Sequence, residues 1–110
     1  MLLMTNRLYF KYDNRLGIQL PHLEKDWQHY THEEHVIMVT EWEMIRGFIP
    51  DRIMTFEAVI NEKQREMNEE VDFLKCCILN SEIADYASRI NDLHLWFRLN
   101  QDIALSKNHA

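Results

Sequence analysis

From Asp51 to Ala110 the chain contains neither proline nor glycine. Its strong breakers, Gly17, Pro21, Gly47 and Pro50, all come earlier. A fold with many tight turns needs such residues throughout, so the second half is confined to long helices. The apolar periodicity agrees. Ile53, Phe56 and Ile60 begin a stripe that Met67 continues a heptad later, and Val71, Leu74 and Ile78 form a second set. Leu79, Ile83, Tyr86, Ile90, Leu93 and Phe97 then alternate in steps of four and three, the pattern of a coiled-coil seam.

One uninterrupted helix over this stretch would be about 80 Å long, with most of its apolar face bare. The register breaks within Asn68-Glu69-Glu70-Val71-Asp72-Phe73, where Asp72 is suited to cap a new helix. The expected fold is therefore mainly α. A long antiparallel helical hairpin occupies residues 50–105 and reverses near 70–72, with arms over 51–69 and 73–104. Residues 106–110 are expected to be a disordered tail. Because the second arm is longer, Leu93, Trp96, Phe97 and Leu99 should overhang Pro50 and meet Trp42, Ile45 and the N-terminal arm. The hairpin would then pack at its base against an N-terminal helix and a short β-hairpin or extended arm, as one folded unit.

Residues 1–20 read as that arm. Leu8, Phe10 and Tyr12 alternate with Tyr9 and Lys11, and Leu16, Ile18 and Leu20 alternate with Gly17 and Gln19, around a turn at Asp13-Asn14-Arg15. A lone hairpin is marginal in water, so it must lie on the helices or on a partner chain. Residues 21–49 read as an N-terminal helical segment. Pro21 would open a short helix with Leu23, Trp27 and Tyr30 on one side. Thr31 and Glu34 form a capping box for a helix from His32 to Arg46 that buries Val36, Val39, Trp42 and Ile45. Gly47 stands where a left-handed C-terminal residue is wanted.

The formal net charge is −6, which argues against a generic phosphate-backbone binder, although Arg7, Lys11 and Arg15 make the first twenty residues positive. Acid concentrates at Glu62, Glu66, Glu69, Glu70 and Asp72, which reads first as a solvated helix face and turn and second as an acidic docking surface. Cys76 and Cys77 are adjacent and lack framework spacing, which fits a reducing cytoplasm. The apolar start, Met1 to Met4, is too short for a signal sequence. No run approaches a membrane span. A soluble cytoplasmic protein is the expectation.

No constellation here carries catalysis, and no cofactor is implied. His29, His32 and His35 are the weak metal candidates, but His32 and His35 stand three apart, where the helical zinc-protease pattern needs four. His29 precedes the cap. Cys76 and Cys77 read as small packing residues before redox ones. Pairs such as Glu41/Glu43 and Glu69/Glu70 read as solvated faces, with no pocket around them. The aromatic set Trp27, Trp42, Phe56, Trp96 and Phe97 reads mostly as core.

Residues 67–83 do carry a resemblance. Val71, Asp72 and Phe73 before the small pair Cys76-Cys77, followed by Leu79 and Ile83, resemble the UVR motif, the short helical hairpin of bacterial excision-repair proteins and Clp-type chaperone and adaptor proteins. Leu74 replaces the usual Glu, and Asn80-Ser81 replace an Arg-Asp-like pair. The resemblance implies that Phe73 plugs the hairpin end, that the small pair allows close helix approach, and that the hairpin pairs with another as a four-helix unit. It implies docking or self-association and no catalysis.

The second arm is apolar over a wide arc, since Leu74, Ile78, Tyr86, Leu93 and Trp96 do not face one neighbour. An arc this wide touches two partners, one being the N-terminal helix and the other a second copy in a symmetric dimer. The expected function is a non-enzymatic protein–protein interaction module, an adaptor or regulator, that self-associates and docks on another bacterial protein. Its contact residues would be Glu66, Glu69, Glu70, Asp72, Phe73, Leu74, Ile78, Tyr86, Leu93 and Trp96. The alternatives are a small acidic inhibitor, encoded by a mobile element such as a phage, that blocks a nuclease or nucleic-acid-binding protein, and a metal-dependent function at His29, His32 and His35.

Overall fold

The computed structural model describes residues 9–109, with side chains described for 9–99. Strand β1 (Phe10–Asp13) pairs antiparallel with β2 (Ile18–Pro21). A 3-10 turn at Trp27–His29 leads to α1 (His32–Arg46), α2 (Ile49–Glu69) and α3 (Phe73–His109). The chain is mainly helical, with the two long helices α2 and α3 packed together beside a small two-stranded sheet.

The β-hairpin turns on Gly17, the one residue with positive φ (+76°) among those described. Its N–H donates to Asp13 O at 2.7 Å, and the Leu16 N–H donates to the Asp13 carboxylate at 2.9 Å. Leu8, expected in this arm, lies outside the described residues. The helix expected to open at Pro21 is absent. Pro21 instead closes β2 opposite Phe10, and the ladder extends one step further through His22 N–H to Tyr9 O at 2.8 Å. Only the short turn at Trp27–His29 remains of it.

Helix α1 starts as expected. The Glu34 N–H donates to Thr31 Oγ1 at 3.1 Å, and the Thr31 N–H donates to the Glu34 carboxylate at 2.9 Å, so two orphan amides are satisfied reciprocally. The buried face keeps Trp42, with Val39 and Ile45 partly buried as expected, and departs from the expected one only at Val36, with Met38 added. Met38 and Trp42 are buried and Ile45 is partly so, whereas Val36 is 47% exposed. The face from Met38 through Trp42 to Ile45 follows helical spacing, and the β-hairpin selects it by laying Phe10 parallel to Trp42 at 6.4 Å between centroids. Gly47 is right-handed (φ −64°), not left-handed, and so is Phe48. The chain passes from α1 to α2 through a near-helical joint in which Phe48 N–H donates to Ile45 O. A Cβ at Gly47 would approach Met44 O to 3.3 Å, so the joint is tight.

Two buried clusters form the base. The first holds Tyr9, Phe10, Tyr30, Met38 and Trp42. The second holds Leu16, Ile18, Ile49, Phe56 and Leu93. Leu20, Ile45 and Trp96 touch both and join them into one core. Each fully buried aliphatic or aromatic side chain contributes about 1.5–3 kcal/mol through area removed from water. Trp96 meets Trp42 edge-on at 5.9 Å, so the long arm's overhang reaches α1 as expected.

Arginines pin the strand turn to the helices. Arg15 donates to Asp92 (2.7 Å) and Ser88 (2.8 Å), Arg89 to Arg15 O (3.3 Å), and Arg52 to Leu16 O (3.2 Å). The guanidinium groups of Arg52 and Arg89 also lie over the Phe56 ring. Helix α3 runs to His109, so residues 106–109 extend the helix where a disordered tail was expected. No proline or glycine interrupts them.

Candidate interaction surface

The hairpin reverses over Glu70-Val71-Asp72, and its carboxylates hold the reversal. The Glu70 carboxylate accepts from the N–H groups of Val71 (3.2 Å) and Asp72 (3.0 Å). Asp72 Oδ1 accepts from Leu74 (2.9 Å) and Lys75 (3.3 Å). Asp72 thereby acts as the N-cap of α3 and satisfies two amides that have no partner within the helix.

Beyond the turn, α3 divides by face. Leu79, Ile83, Tyr86, Ile90, Leu93 and Phe97 are all partly or fully buried, as the seam spacing requires. Cys76 begins this side. Its thiol lies 3.6 Å from Glu70 O and 4.0 Å from Met67 O, sheltered under the reversal. The other side is bare: Phe73, Leu74 and Ile78 are 76, 70 and 59% exposed, Cys77 is exposed among them, and Val71 on the turn is 97% exposed. Positions i, i+1, i+4 and i+5 share one arc of a helix, so Phe73, Leu74, Cys77 and Ile78 form one apolar arc at the tip, with Val71 exposed on the turn that precedes it.

Ion pairs brace the flanks. Lys63 reaches across to Glu82 at 2.9 Å, and this carboxylate raises the lysine pKa above its ordinary value. On α2, Arg65 pairs with Glu62 and with Glu69 (3.3 Å), and the Arg65 guanidinium lowers the Glu62 pKa. Such exposed pairs orient side chains more than they stabilise the fold.

The expected contact residues separate into three groups. Phe73, Leu74 and Ile78 lie on the bare tip. Glu66 and Glu69 flank it as exposed acids, while Glu70 and Asp72 hold the turn. Tyr86, Leu93 and Trp96 belong to the monomer's own packing. Tyr86 meets Phe56 edge-on at 5.4 Å, Leu93 is 0% exposed, and Trp96 packs on Trp42. The wide apolar arc of α3 therefore divides along the helix: Tyr86 and Leu93 are covered by α2 and Trp96 by α1, whereas Leu74 and Ile78 stay bare. Phe73 does not plug the hairpin end. The arc it shares with Leu74 points away from α2, and Cys76 takes the inward position. Val71 and Cys77, absent from the expected set, complete the tip; the signal for Val71 was its place between two turn-holding acids.

The histidine candidates do not converge. His29 and His32 are exposed, whereas the His35 ring stacks on Trp27 at 4.0 Å with Nε2 2.7 Å from Trp27 O. Among the described residues no group of three or more His, Cys, Asp or Glu side chains is placed to hold a metal ion. Nor, among them, is any helix long and apolar enough to cross a membrane. No family model, curated protein or solved structure matches the chain.

Proposed function

We propose that this chain is a non-enzymatic protein–protein interaction module, an adaptor or regulator, that associates with a second copy of itself through the tip of its helical hairpin. The observation that carries this reading is the exposure of Val71, Phe73, Leu74 and Ile78 together at one end of the molecule. Isolated apolar residues on a surface need no explanation, but a continuous apolar patch marks a contact site. Phe73 is the natural anchor, since a rigid aromatic ring gives large contact area at low entropic cost. A two-fold pairing would place the same arc of both copies face to face. The likeness of residues 67–83 to the UVR hairpin points the same way.

Acidic charge is the weaker basis for recognition. Glu62 and Glu69 share Arg65, and the Glu70 and Asp72 carboxylates are engaged by the turn. The deciding experiment is sedimentation and light scattering of untagged protein over a wide concentration range, with mass spectrometry of copurifying chains. A concentration-dependent dimer supports the reading. A strict monomer with no copurifying partner removes it.

A further inference from the structure

We draw no further inference here: the strongest candidate, the small apolar cleft at the base between Phe10, Pro21, Leu23, Trp27, Val39 and Trp42, is an unpartnered apolar face, and nothing in the structure shows what covers it.

Discussion

Arg52 lies against Gly17 so closely that a Cβ built on Gly17 would sit 2.5 Å from Arg52 Nη2. The glycine also holds φ at +76°, in the left-handed region that disfavours side chains. Gly17→Ala should therefore destabilise the fold by about 1–2 kcal/mol from the backbone term, with an added loss if Arg52 is displaced from Leu16 O. Urea denaturation of G17A, R52A and the double variant separates the two. The double variant should be less destabilised than the sum of the singles, because the collision is gone. Strict additivity would mean that the guanidinium yields without cost.

Leu93 and Ile78 sit on the same helix with opposite fates, fully buried and 59% exposed. Leu93→Ala leaves a cavity among Leu16, Ile49 and Phe56, and should cost about 2–5 kcal/mol. Ile78→Ala removes little buried surface and should fall within about 0.5 kcal/mol of wild type when measured at concentrations where the protein is monomeric. Equal losses would place the seam of α3 on a different face.

The Glu34 carboxyl is held below the ordinary carboxylate range, first by the Thr31 backbone N–H and then by the Tyr9 hydroxyl, which donates at 2.8 Å. Glu34 in turn raises the Tyr9 pKa above its ordinary value. A lowered carboxyl pKa adds stability above the unfolded value and loses it as pH falls through the folded one; a raised tyrosine pKa adds stability below its unfolded value and loses it as pH rises through the folded one. Glu34→Gln should thus flatten the acid limb of the stability profile and bring the Tyr9 titration down, seen in tyrosinate absorbance. Tyr9→Phe should leave most of the acid limb, because the larger cause persists. If Y9F erased the acid limb, the capping box would not be the main restraint on Glu34.

The contrast between these sites shows what was legible in the sequence. Long-range organisation followed from breakers and period: the turn at 70–72, the capping box at Thr31 and Glu34, and the seam from Leu79 to Phe97 all need only neighbours within a few turns. Pro21 departs from its expected role because its effect depends on a partner. The same residue suits a helix start or the end of an edge strand, and the Phe10 opposite decides. Met38 displaced Val36 from the core for the same reason, since the β-hairpin chooses which α1 face is covered. The arginine contacts to Arg15 O and Leu16 O left no pattern at all, because they join positions dozens of residues apart through a backbone carbonyl. Within the tip, Phe73, Leu74 and Ile78 were recognisable as surplus apolar residues, but local spacing could not separate them from Tyr86 and Leu93 until the path of α2 was known.

Asp72 is the residue on which the reversal turns. Asp72→Ala should lose the cap and cost about 1 kcal/mol, with Asp72→Ser recovering most of it. Hydrogen exchange gives the local view: in D72A the amides of Leu74 and Lys75 should exchange faster, while those near Leu93 should accelerate only in step with the loss of global stability. Unchanged exchange at Leu74 would indicate that another acceptor serves that amide.

The tip itself supplies the test of self-association. Replacing Phe73 and Leu74 together by serine removes the apolar centre of the patch without touching the core, because both side chains are largely exposed and the capping bonds from Leu74 and Lys75 use backbone N–H. The F73S/L74S variant should keep its helical content and thermal stability under monomeric conditions, yet sediment as a monomer at concentrations where the proposed wild-type dimer forms. Cys77 stands one helical turn from Phe73 and Leu74 and is exposed. In a two-fold tip contact its counterpart on the second copy comes near, so mild oxidation should trap a covalent dimer through Cys77 that C77S abolishes. Cys76, turned toward Met67 O and Glu70 O beneath the reversal, should not substitute for it. Efficient cross-linking in the F73S/L74S variant, or a wild-type dimer that survives this double substitution, would move the interface away from the tip.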